Sequence, residues 1–357
     1  MIFPTLAFLT ALIITAFAIP SIIRLAQVRD WLDRPSERKS HTVQTPLLGG
    51  VGIFGGLVLA LVLWMPEAEY LETRYVFAAM TILFMVGIKD DLYPIPAGKK
   101  LLGQLVTAGL LVFGTGAVIP SFFGIFGWYE LSWWFSRLFS VLTMLVIING
   151  FNLIDGINGL AGSMGLLCAL FFGSFFFSAG EYFYSVIGWA LAGALLAFLY
   201  YNFSNRIFMG DTGALVIGMV IGLLTTHFLR IHHFESGVYH PRGFMFEAVP
   251  AVAVGLLILP LFDTLRVFVL RIWKGRSPLS PDRLHLHHML IDLGMSHGQA
   301  TLLLICANLS FLLVAILLQD LNTLLLVILI FVSASVASGL LNYAVIRKRR
   351  RLEERMV

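Results

Sequence analysis

The amino-acid sequence predicts an all-α integral membrane protein, and two observations support this prediction. Hydrophobic residues make up 59% of the 357 positions and charged residues only 12%, whereas soluble domains carry about 25% charged residues. The apolar residues are also gathered into segments of roughly 20 residues, the length that an α-helix needs to cross a bilayer. A soluble core cannot absorb this excess, so helices that face lipid are expected.

Eleven such segments follow one another along the chain, separated by short polar gaps. We predict spans near residues 3–23, 46–65, 75–88, 101–119, 136–151, 160–178, 184–201, 212–230, 247–272, 299–318 and 322–346. No basic stretch precedes the first segment, so a retained span is favoured over a cleaved signal peptide. Pro250 and Pro260 predict a kink or a break in the ninth segment. Residues 1–346 are expected to form a single polytopic domain, and residues 347–357 a basic cytoplasmic tail.

The distribution of basic residues predicts the orientation of the helices. With the N-terminus outside, eighteen of the 24 lysines and arginines fall in the inner gaps and the tail, and four fall outside. Because basic loops are retained in the cytoplasm, we predict an outer N-terminus and a cytoplasmic C-terminus. The basic tail is the expected inner anchor of the last span, and nucleic-acid binding is not predicted.

Acidic residues and histidines cluster in four of the inner gaps, and therefore on one predicted face. They are Asp90 and Asp91, then Asp155, then Asp211, then His285, His287 and His288. Carboxylates at the ends of spans are costly unless cations pair with them, and carboxylate oxygens are ligands that suit Mg²⁺. The pattern indicates a metal-dependent active site on the cytoplasmic face.

The acidic clusters also have simpler structural interpretations. Asp90 and Asp91 suit a solvated loop about as well as a metal or phosphate site, and Asp211 suits a helix N-cap as well as a metal site. The stretch around Asp155 is rich in Asn and Gly, and we favour recognition of a polar ligand over a tight turn. Gly49-Gly50 favours a helix start, with a close approach to a polyphosphate as the alternative.

The histidine run is harder to explain as a loop. On a helix, His285 and His288 would share a face and His287 would point elsewhere. Zinc binding is less favoured than donation to phosphate oxygens, because no cysteine lies nearby. Asp263 and Arg266, which are three residues apart in the ninth segment, are expected to form an ion pair. The histidines of the outer gap are expected to be loop residues. Those outer histidines are His232, His233 and His240.

Three motifs in this order carry a resemblance to a known family. They are Asp90-Asp91, the stretch Asn-Leu-Ile-Asp-Gly at 152–156, and Phe-Met-Gly-Asp at 208–211. With the flanking basic and histidine stretches, from residue 38 to 288, the chain resembles the polyprenyl-phosphate N-acetylhexosamine-1-phosphate transferases, glycosyltransferase family 4. Such enzymes move a sugar-1-phosphate from a UDP-sugar to a lipid phosphate and release UMP. The His-Leu-His-His run resembles the bacterial GlcNAc-1-phosphate branch, which starts O-antigen, common-antigen or teichoic-acid linkage synthesis.

The resemblance implies roles for individual residues. Asp90, Asp91 and Asp211 would be catalytic: Asp211 would hold Mg²⁺, or Mn²⁺ in its place, with Asp91 and Asp155 as further metal ligands. Asp90 would orient or deprotonate the lipid phosphate. The implied substrate-binding residues are Lys39, His41, Lys100, Asn152, Asp155, Asn202, Phe208, Arg283, His285, His287 and His288. Phosphoryl transfer depends mainly on positioning and charge stabilisation, which such a set can supply.

The resemblance also implies partners and a location. These are a UDP-sugar, a polyprenyl phosphate lipid, the bacterial cytoplasmic membrane and, by resemblance alone, a second copy of the chain. Two alternatives remain open. One is a relative that uses UDP-MurNAc-pentapeptide or another UDP-HexNAc, although that peptidoglycan branch usually has three consecutive histidines. The other is a multi-span transporter, although transporters usually place ionisable residues near mid-membrane.

Overall fold

Nearly all of the described chain is α-helical. The computed structural model describes residues 2–33, 45–66, 70–233, 245–275, 277 and 284–354, and these contain thirteen α-helices. The sheet content of the same ranges is one antiparallel pair of two-residue strands, β1 (Leu32–Asp33) and β2 (Thr45–Pro46). The all-α prediction is therefore confirmed, with this small ladder as an addition.

The helices follow the order of the predicted apolar segments. They are α1 (Ile2–Val28), α2 (Gly49–Trp64), α3 (Tyr70–Leu92), α4 (Ala97–Gly114), α5 (Trp133–Ile154), α6 (Leu160–Ala179), α7 (Tyr182–Phe203), α8 (Gly210–Ile231), α9 (Val249–Leu256), α10 (Ile258–Trp273), α11 (Leu286–Asp292), α12 (His297–Leu317) and α13 (Thr323–Glu354). A short 3-10 turn, Ile125–Gly127, lies between α4 and α5. Every predicted segment contains a helix, although α4 ends at Gly114, five residues before the predicted end of the fourth segment. The ninth segment is divided into α9 and α10.

The number of helices that can cross a membrane differs from the eleven predicted. Within the described part, eight helices are long and apolar enough, and α9 with α10 would make a ninth. The helix α2 is apolar but has only 16 residues, and α4 begins with a polar turn that contains Lys99 and Lys100. The protein is a multi-pass membrane protein, but the count of eleven spans is not confirmed.

The chain divides into two compact units, and the boundary falls inside residues 1–346, which the sequence predicts as a single domain. The first unit ends at Met245 and the second begins at Phe246. In the first unit α8 is the central helix: it packs against α2, α3, α5 and α6 and is buried along almost its whole length. A helix enclosed in this way is expected to be apolar on all sides, which explains why α8 has few polar residues after its first turn.

The first turn of α8 is held between α2 and α3 at positions where a side chain does not fit. A Cβ atom at Gly50 would overlap the backbone of Gly213, and a Cβ atom at Gly87 would overlap that of Thr212. Gly210, the first residue of α8, has a φ angle of 72°, which favours glycine. Three glycines therefore set the position of the helix start that carries Asp211.

In the second unit, the predicted break in the ninth segment is confirmed. The helices α9 and α10 meet at Leu257 with a bend of 78°. Pro250 and Pro260 lie in the first turns of α9 and α10, where a helix tolerates proline because the first N–H groups have no intrahelical acceptor. The helix α12 packs against α9, and α11 packs against both α12 and α13.

The predicted basic tail is partly a continuation of the last helix. The helix α13 runs to Glu354, eight residues beyond the predicted end of the last span. The Lys348 amine donates to the Asp292 carbonyl at 3.1 Å, and the Arg349 guanidinium pairs with the Asp292 carboxylate at 2.7 Å. The end of α11 is thus tied to the basic part of α13.

Candidate active site

One carboxylate at the end of α3 caps the start of α8. The Asp91 carboxylate accepts hydrogen bonds from the backbone N–H groups of Asp211 (2.7 Å) and Thr212 (3.0 Å) and from the Thr212 hydroxyl (2.5 Å). The first N–H groups of a helix have no partner within the helix, and a carboxylate there is favoured by the helix dipole. Asp91 therefore supplies the cap that the sequence suggests for Asp211, and both of its oxygens point at α8.

The neighbouring acid, Asp90, belongs to a different network. Lys100, at the start of α4, pairs with the Asp90 carboxylate at 3.2 Å and also with the Asp211 carboxylate. The same amine donates to the Asn152 side chain at 3.4 Å, and the Asp90 carboxylate also accepts from the Ile95 N–H at 2.7 Å. Four helices, α3, α4, α5 and α8, thus bring their polar ends to one lysine.

Asp155 adds a further carboxyl group next to this network. It follows the last residue of α5 and is half-buried. Burial raises the pKa of the Asp155 carboxyl to about 8, and the nearby charges of Asp211 and Asp91 add to the increase. The site therefore favours a proton or a cation at Asp155.

The asparagines of the site bond mainly to the protein itself. Asn202 is buried: its oxygen accepts from the Gly159 N–H at 2.6 Å, and its amide group donates to the Ile207 carbonyl at 2.8 Å. Asn158 donates to Asn205 across the same two loops. The structure thus gives Asn202 a role in joining the loop after α5 to the loop after α7, and its implied substrate contact stays a prediction.

Phe208 lies beside the start of α2. The Phe208 N–H donates to the Pro46 carbonyl at 2.8 Å, and the N–H groups of Gly49 and Gly50 donate to the carbonyls of Phe208 and Met209 at 2.9 and 2.8 Å. The interpretation of Gly49-Gly50 as a helix start is confirmed. These N–H groups are already bonded, and the α8 backbone occupies the space beside Gly50. The alternative of a close approach to a polyphosphate stays a prediction.

In the second unit, the histidine run is anchored to α10. The buried Asp263 carboxylate bonds the His285 ring at 2.8 Å and accepts from the Leu286 N–H, at the start of α11, at 3.1 Å. The predicted pair of Asp263 with Arg266 is confirmed at 3.2 Å, and Arg266 also donates to the Leu284 carbonyl. Asp263 therefore holds the first histidine and caps the helix that carries the other two.

The three histidine rings lie together, contrary to the expectation that His287 points away. The rings of His285 and His287 stack at 5.6 Å between centroids, and those of His287 and His288 lie 4.2 Å apart. His285 precedes α11 in an extended conformation, so helical spacing does not apply to it. Burial lowers the pKa of His287 to about 3. This ring is therefore neutral at neutral pH, and its buried Nε2 atom has no hydrogen-bond partner within the described chain.

Some predicted site residues cannot be placed. Lys39, His41 and Arg283 lie outside the residues that the structure describes. Of the remaining predicted residues, the first unit brings Asp90, Asp91, Lys100, Asn152, Asp155 and Asp211 together around the starts of α4 and α8. The histidines belong to the second unit.

The donor atoms fit a magnesium ion better than a softer metal. Asp90, Asp155 and Asp211 offer carboxylate oxygens, the ligands that Mg²⁺ prefers, and no cysteine belongs to the network. In the described ranges, however, no three His, Cys, Asp or Glu side chains form a group arranged for a metal ion. The structure also commits Asp91 to α8, so the metal set of Asp91, Asp155 and Asp211 stays a prediction.

Two contacts that matter here are not predicted from the sequence. Thr212 bonds Asp91 through both its N–H and its hydroxyl, and its position directly after Asp211 is the one signal that suggests it. Asp263 is predicted to pair with Arg266 but not to hold His285, since a contact across 22 residues leaves no local pattern.

The outer histidine His232 lies in the turn that follows α8, as predicted. It is also buried: its ring stacks on Phe175 with 5.3 Å between centroids and bonds the Phe228 carbonyl at 2.7 Å. Burial lowers the pKa of His232 to about 4, so it is neutral at neutral pH. His240 lies outside the described residues.

Comparisons with known proteins agree with this arrangement. Residues 73–228, which include the first-unit network from Asp90 to Asp211, match the family described as glycosyl transferase family 4. The decaprenyl-phosphate N-acetylglucosaminephosphotransferase of Mycolicibacterium smegmatis is 34% identical over 318 residues, which cover 83% of this chain and 77% of the relative. A probable undecaprenyl-phosphate N-acetylglucosaminyl 1-phosphate transferase of Bacillus subtilis is 31% identical over 331 residues, 91% of this chain and 88% of the relative.

A more distant relative has the same type of name. The undecaprenyl-phosphate alpha-N-acetylglucosaminyl 1-phosphate transferase of Escherichia coli K12 is 28% identical over 289 residues, 77% of this chain and 73% of the relative. The chain is a helical membrane protein with a cluster of carboxylates around one lysine, and it is similar to these enzymes over most of its length. These features place it in a class of membrane phosphotransferases. The chain belongs to the polyprenyl-phosphate N-acetylglucosamine-1-phosphate transferase family within glycosyl transferase family 4.

Proposed function

We propose that this protein transfers GlcNAc-1-phosphate from UDP-GlcNAc to undecaprenyl phosphate and thereby starts the synthesis of a cell-envelope polysaccharide. An oxygen of the lipid phosphate would attack the phosphorus that carries the sugar. A new P–O bond would form as the P–O bond to UMP breaks, and UMP would leave with the electron pair. The relatives' names and the family support the reaction class, and UDP-GlcNAc and undecaprenyl phosphate are the particular substrates that we assign.

The observation that carries the proposal is the placement of Lys100 among Asp90, Asp211 and Asn152. Phosphoryl transfer is accelerated mainly by positioning and by stabilising charge on the phosphate oxygens. An amine held by two carboxylates is fixed in place before the substrate arrives, so little ordering is needed during the reaction. We assign to Lys100 the neutralisation of phosphate charge and to Asp90 the orientation of the acceptor phosphate.

A base is not essential in this reaction. A lipid phosphate is already largely ionised at neutral pH, since the second pKa of a phosphate ester is about 6. We therefore assign Asp90 a role in orientation first, with proton removal as a secondary role. The Phe208 ring, which is half-exposed, is assigned to stacking on the uracil, and the histidines of the second unit, with Lys39, His41 and Arg283, to the phosphates.

We propose that the enzyme depends on Mg²⁺, which Mn²⁺ can replace. Asp211 and Asp155 are the carboxylates that we assign to the ion, because Asp91 already accepts three hydrogen bonds from α8. Mg²⁺ typically takes one or two protein carboxylates and leaves other positions to water and substrate phosphate. When bound, the ion would neutralise charge on the diphosphate.

The location and the assembly are further parts of the proposal. The excess of basic residues in the predicted inner gaps supports an N-terminus outside, a C-terminus in the cytoplasm and an active site on the cytoplasmic face of the bacterial inner membrane. A homodimer is proposed by analogy with the family alone.

The test is UMP release by the purified protein with undecaprenyl phosphate as acceptor. UDP-GlcNAc, UDP-GalNAc and UDP-MurNAc-pentapeptide are compared, each with Mg²⁺ and with a chelator. We expect release with UDP-GlcNAc that the chelator abolishes. Release with another donor only would keep the mechanism and change the substrate. No release from folded protein with any donor would contradict the proposal and favour transport assays in vesicles.

The Asp211→Asn variant tests the assignment of the ion. We expect turnover to be lost while the protein still inserts in the membrane, because the neutral amide is a much poorer ligand for Mg²⁺. Binding of Mn²⁺ to the two proteins, followed by electron paramagnetic resonance, gives a measurement besides activity. Full activity with unchanged Mn²⁺ binding would show that Asp211 does not hold the ion.

A further inference from the structure

The break between α9 and α10 leaves backbone groups without partners inside the helix. In a continuous helix, the N–H of residue 260 would donate to the carbonyl of Leu256, but Pro260 has no N–H. The N–H of Leu259, at the start of α10, likewise has no acceptor within the helix. The Leu256 carbonyl and the Leu259 N–H both lie in an apolar part of a membrane protein, where no water is expected to form hydrogen bonds with them.

One side chain of α12 bonds both of these groups. The Asn308 amide donates to the Leu256 carbonyl at 2.9 Å, and its oxygen accepts from the Leu259 N–H at 3.1 Å. Asn308 is only 1% exposed. Both ends of one amide thus replace the helical hydrogen bonds that the bend removes. Gly255 also lies close to α12: a Cβ atom there would be 3.0 Å from the Ala315 Cβ atom and 3.1 Å from the Phe311 carbonyl oxygen.

The direction of α10 after the bend determines where the histidine run lies. Asp263 is three residues beyond Pro260, and its carboxylate bonds the His285 ring and the first N–H of α11. A straighter α9–α10 segment would move Asp263 and with it the start of α11. The bend is therefore connected to the histidines through covalent structure and two hydrogen bonds.

We propose that Asn308 is a positioning residue for donor binding: it stabilises the 78° bend and so places the Asp263–His285 pair and α11. This inference rests on the proposed function, because it assigns the histidines to the phosphates of the UDP-sugar. It concerns a residue of the second unit, and it requires no contact between Asn308 and the substrate.

The first test removes both hydrogen bonds with Asn308→Leu, which keeps the side chain similar in size. Without Asn308, the Leu259 N–H is unpaired in the bent form but could donate to the carbonyl of residue 255 in a straighter helix, which disfavours the bent form by about tenfold. We expect the KM for UDP-GlcNAc to rise at least about tenfold in folded, purified protein. The matched control is Ser310→Ala on the same helix, because the Ser310 hydroxyl bonds only the Cys306 carbonyl of α12 itself. We expect that control to match the wild type.

The bend itself is measured by electron-spin distances between labelled cysteines that replace Glu247 and Ile272, in a Cys306→Ala background. Cys306 is exposed and would otherwise take the label, whereas Cys168 is buried. Twenty-five residues of straight helix would separate the labels by about 38 Å, and a 78° bend shortens this to about 30 Å. We expect the short distance in the wild type and a shift toward the long one in Asn308→Leu.

A double variant separates positioning from stability. In Pro260→Ala with Asn308→Leu, the new N–H can donate to the Leu256 carbonyl, so the melting temperature should recover. We expect the distance to stay long and the KM to stay high, a combination that a purely stabilising role would not produce. Asn308→Ala, which also removes both hydrogen bonds but adds no bulk, replaces Asn308→Leu if the latter fails to fold, and it should shift the distance and the KM in the same direction.

The outcomes are distinguishable from a failure of the proposed function. A short distance and a wild-type KM in Asn308→Leu would overturn the inference. A KM that recovers together with the melting temperature in the double variant would do the same, since Asn308 would then act on stability alone. If the wild-type protein does not use UDP-GlcNAc, the proposed function fails, and the distances still test whether Asn308 holds the bend.

Discussion

At the scale of single residues, the tandem acids Asp90 and Asp91 have separate partners although they are adjacent. Successive side chains on a helix point about 100° apart, because 3.6 residues make one turn. Asp91 is directed at the backbone of α8 and Asp90 at Lys100. One acid therefore holds the helix that carries Asp211, and the other remains with the charged network.

Lys100 is expected to be indispensable for turnover. The Lys100→Met variant removes the cation between Asp90 and Asp211, so the carboxylates repel one another and phosphate charge is no longer neutralised. We expect kcat/KM to fall by at least about 100-fold. UMP release measures this effect. The control is Lys99→Met, because Lys99 is exposed and adjacent; an equal loss in both variants would indicate a general effect of surface charge.

Asp155 is expected to make the stability of the ligand-free protein depend on pH. Its pKa is about 8 in the folded protein and about 4 when unfolded, so the folded state holds a proton that the unfolded chain releases. The contribution of Asp155 to the free energy of unfolding is therefore fully present below pH 4 and is lost as the pH rises to 8. The Asp155→Asn variant carries no such charge. We therefore expect its melting temperature, relative to wild type, to rise steadily from pH 4 to 8 without divalent cations.

The control for this pH dependence is the Glu130→Gln variant, whose carboxylate lies on an exposed turn of the α4–α5 connection. Its melting curve should follow the wild type at every pH. A constant difference between Asp155→Asn and wild type over the whole range would contradict a raised pKa at Asp155.

At the scale of elements, the site depends on how closely α2, α3 and α8 approach. Gly50 of α2 and Gly87 of α3 both face the backbone of the first turn of α8. With no side chain between them, the helices come within backbone contact, and Asp91 reaches the N–H groups of Asp211 and Thr212. Small residues at such positions are typical of helix packing in membranes.

Gly50→Ala is expected to disturb this contact. The added methyl group would overlap the Gly213 backbone, and overpacking of this kind typically costs about 1–3 kcal/mol. We expect a lower melting temperature and lower kcat. The matched control is Gly55→Ala on the same helix, where nothing lies within 4 Å; alanine there should be neutral or stabilising by up to about 1 kcal/mol. Equal behaviour of the two variants would argue against close packing at Gly50.

At the scale of the whole molecule, exposed aromatic residues mark one end of the helices α4 and α5 in the first unit. The connection between α4 and α5 exposes Trp128 and Tyr129, and the first turn of α5 exposes Trp133 and Trp134. The Arg137 guanidinium lies 3.7 Å from the centroid of the Trp133 ring. Tryptophan and tyrosine are enriched at membrane–water interfaces. This aromatic connection is at the opposite end of α4 from Lys100, which is consistent with an interfacial position away from the carboxylates.

The orientation can be tested with single cysteines in a protein that lacks Cys168 and Cys306. We expect a membrane-impermeant maleimide to label Tyr129→Cys in intact cells whose outer membrane has been opened. Gly98→Cys, at the exposed start of α4, should react only after the inner membrane is permeabilised. Activity in the cysteine-free background controls for correct folding. The reverse labelling pattern would show that the predicted orientation is inverted.

Composition and periodicity by themselves determine the membrane class, the helical segments and the proline break in the ninth one. These properties depend on local features: apolar runs of sufficient length, and a residue that cannot donate a hydrogen bond. The motifs also identify the family and most residues of the first-unit site, because Asp90, Asp155 and Asp211 stand at helix ends where charge is costly without a function.

Only the tertiary structure decides how those residues share their hydrogen bonds. That Asp91 caps α8, that Lys100 joins two acids, and that Asn308 bridges the α9–α10 break all depend on contacts between residues distant in the sequence. Such contacts depend on how whole helices pack against one another, so local sequence patterns do not predict them. The span count differs because the apolar runs do not determine the exact helix lengths: α2 has only 16 residues, and α4 begins with a polar turn.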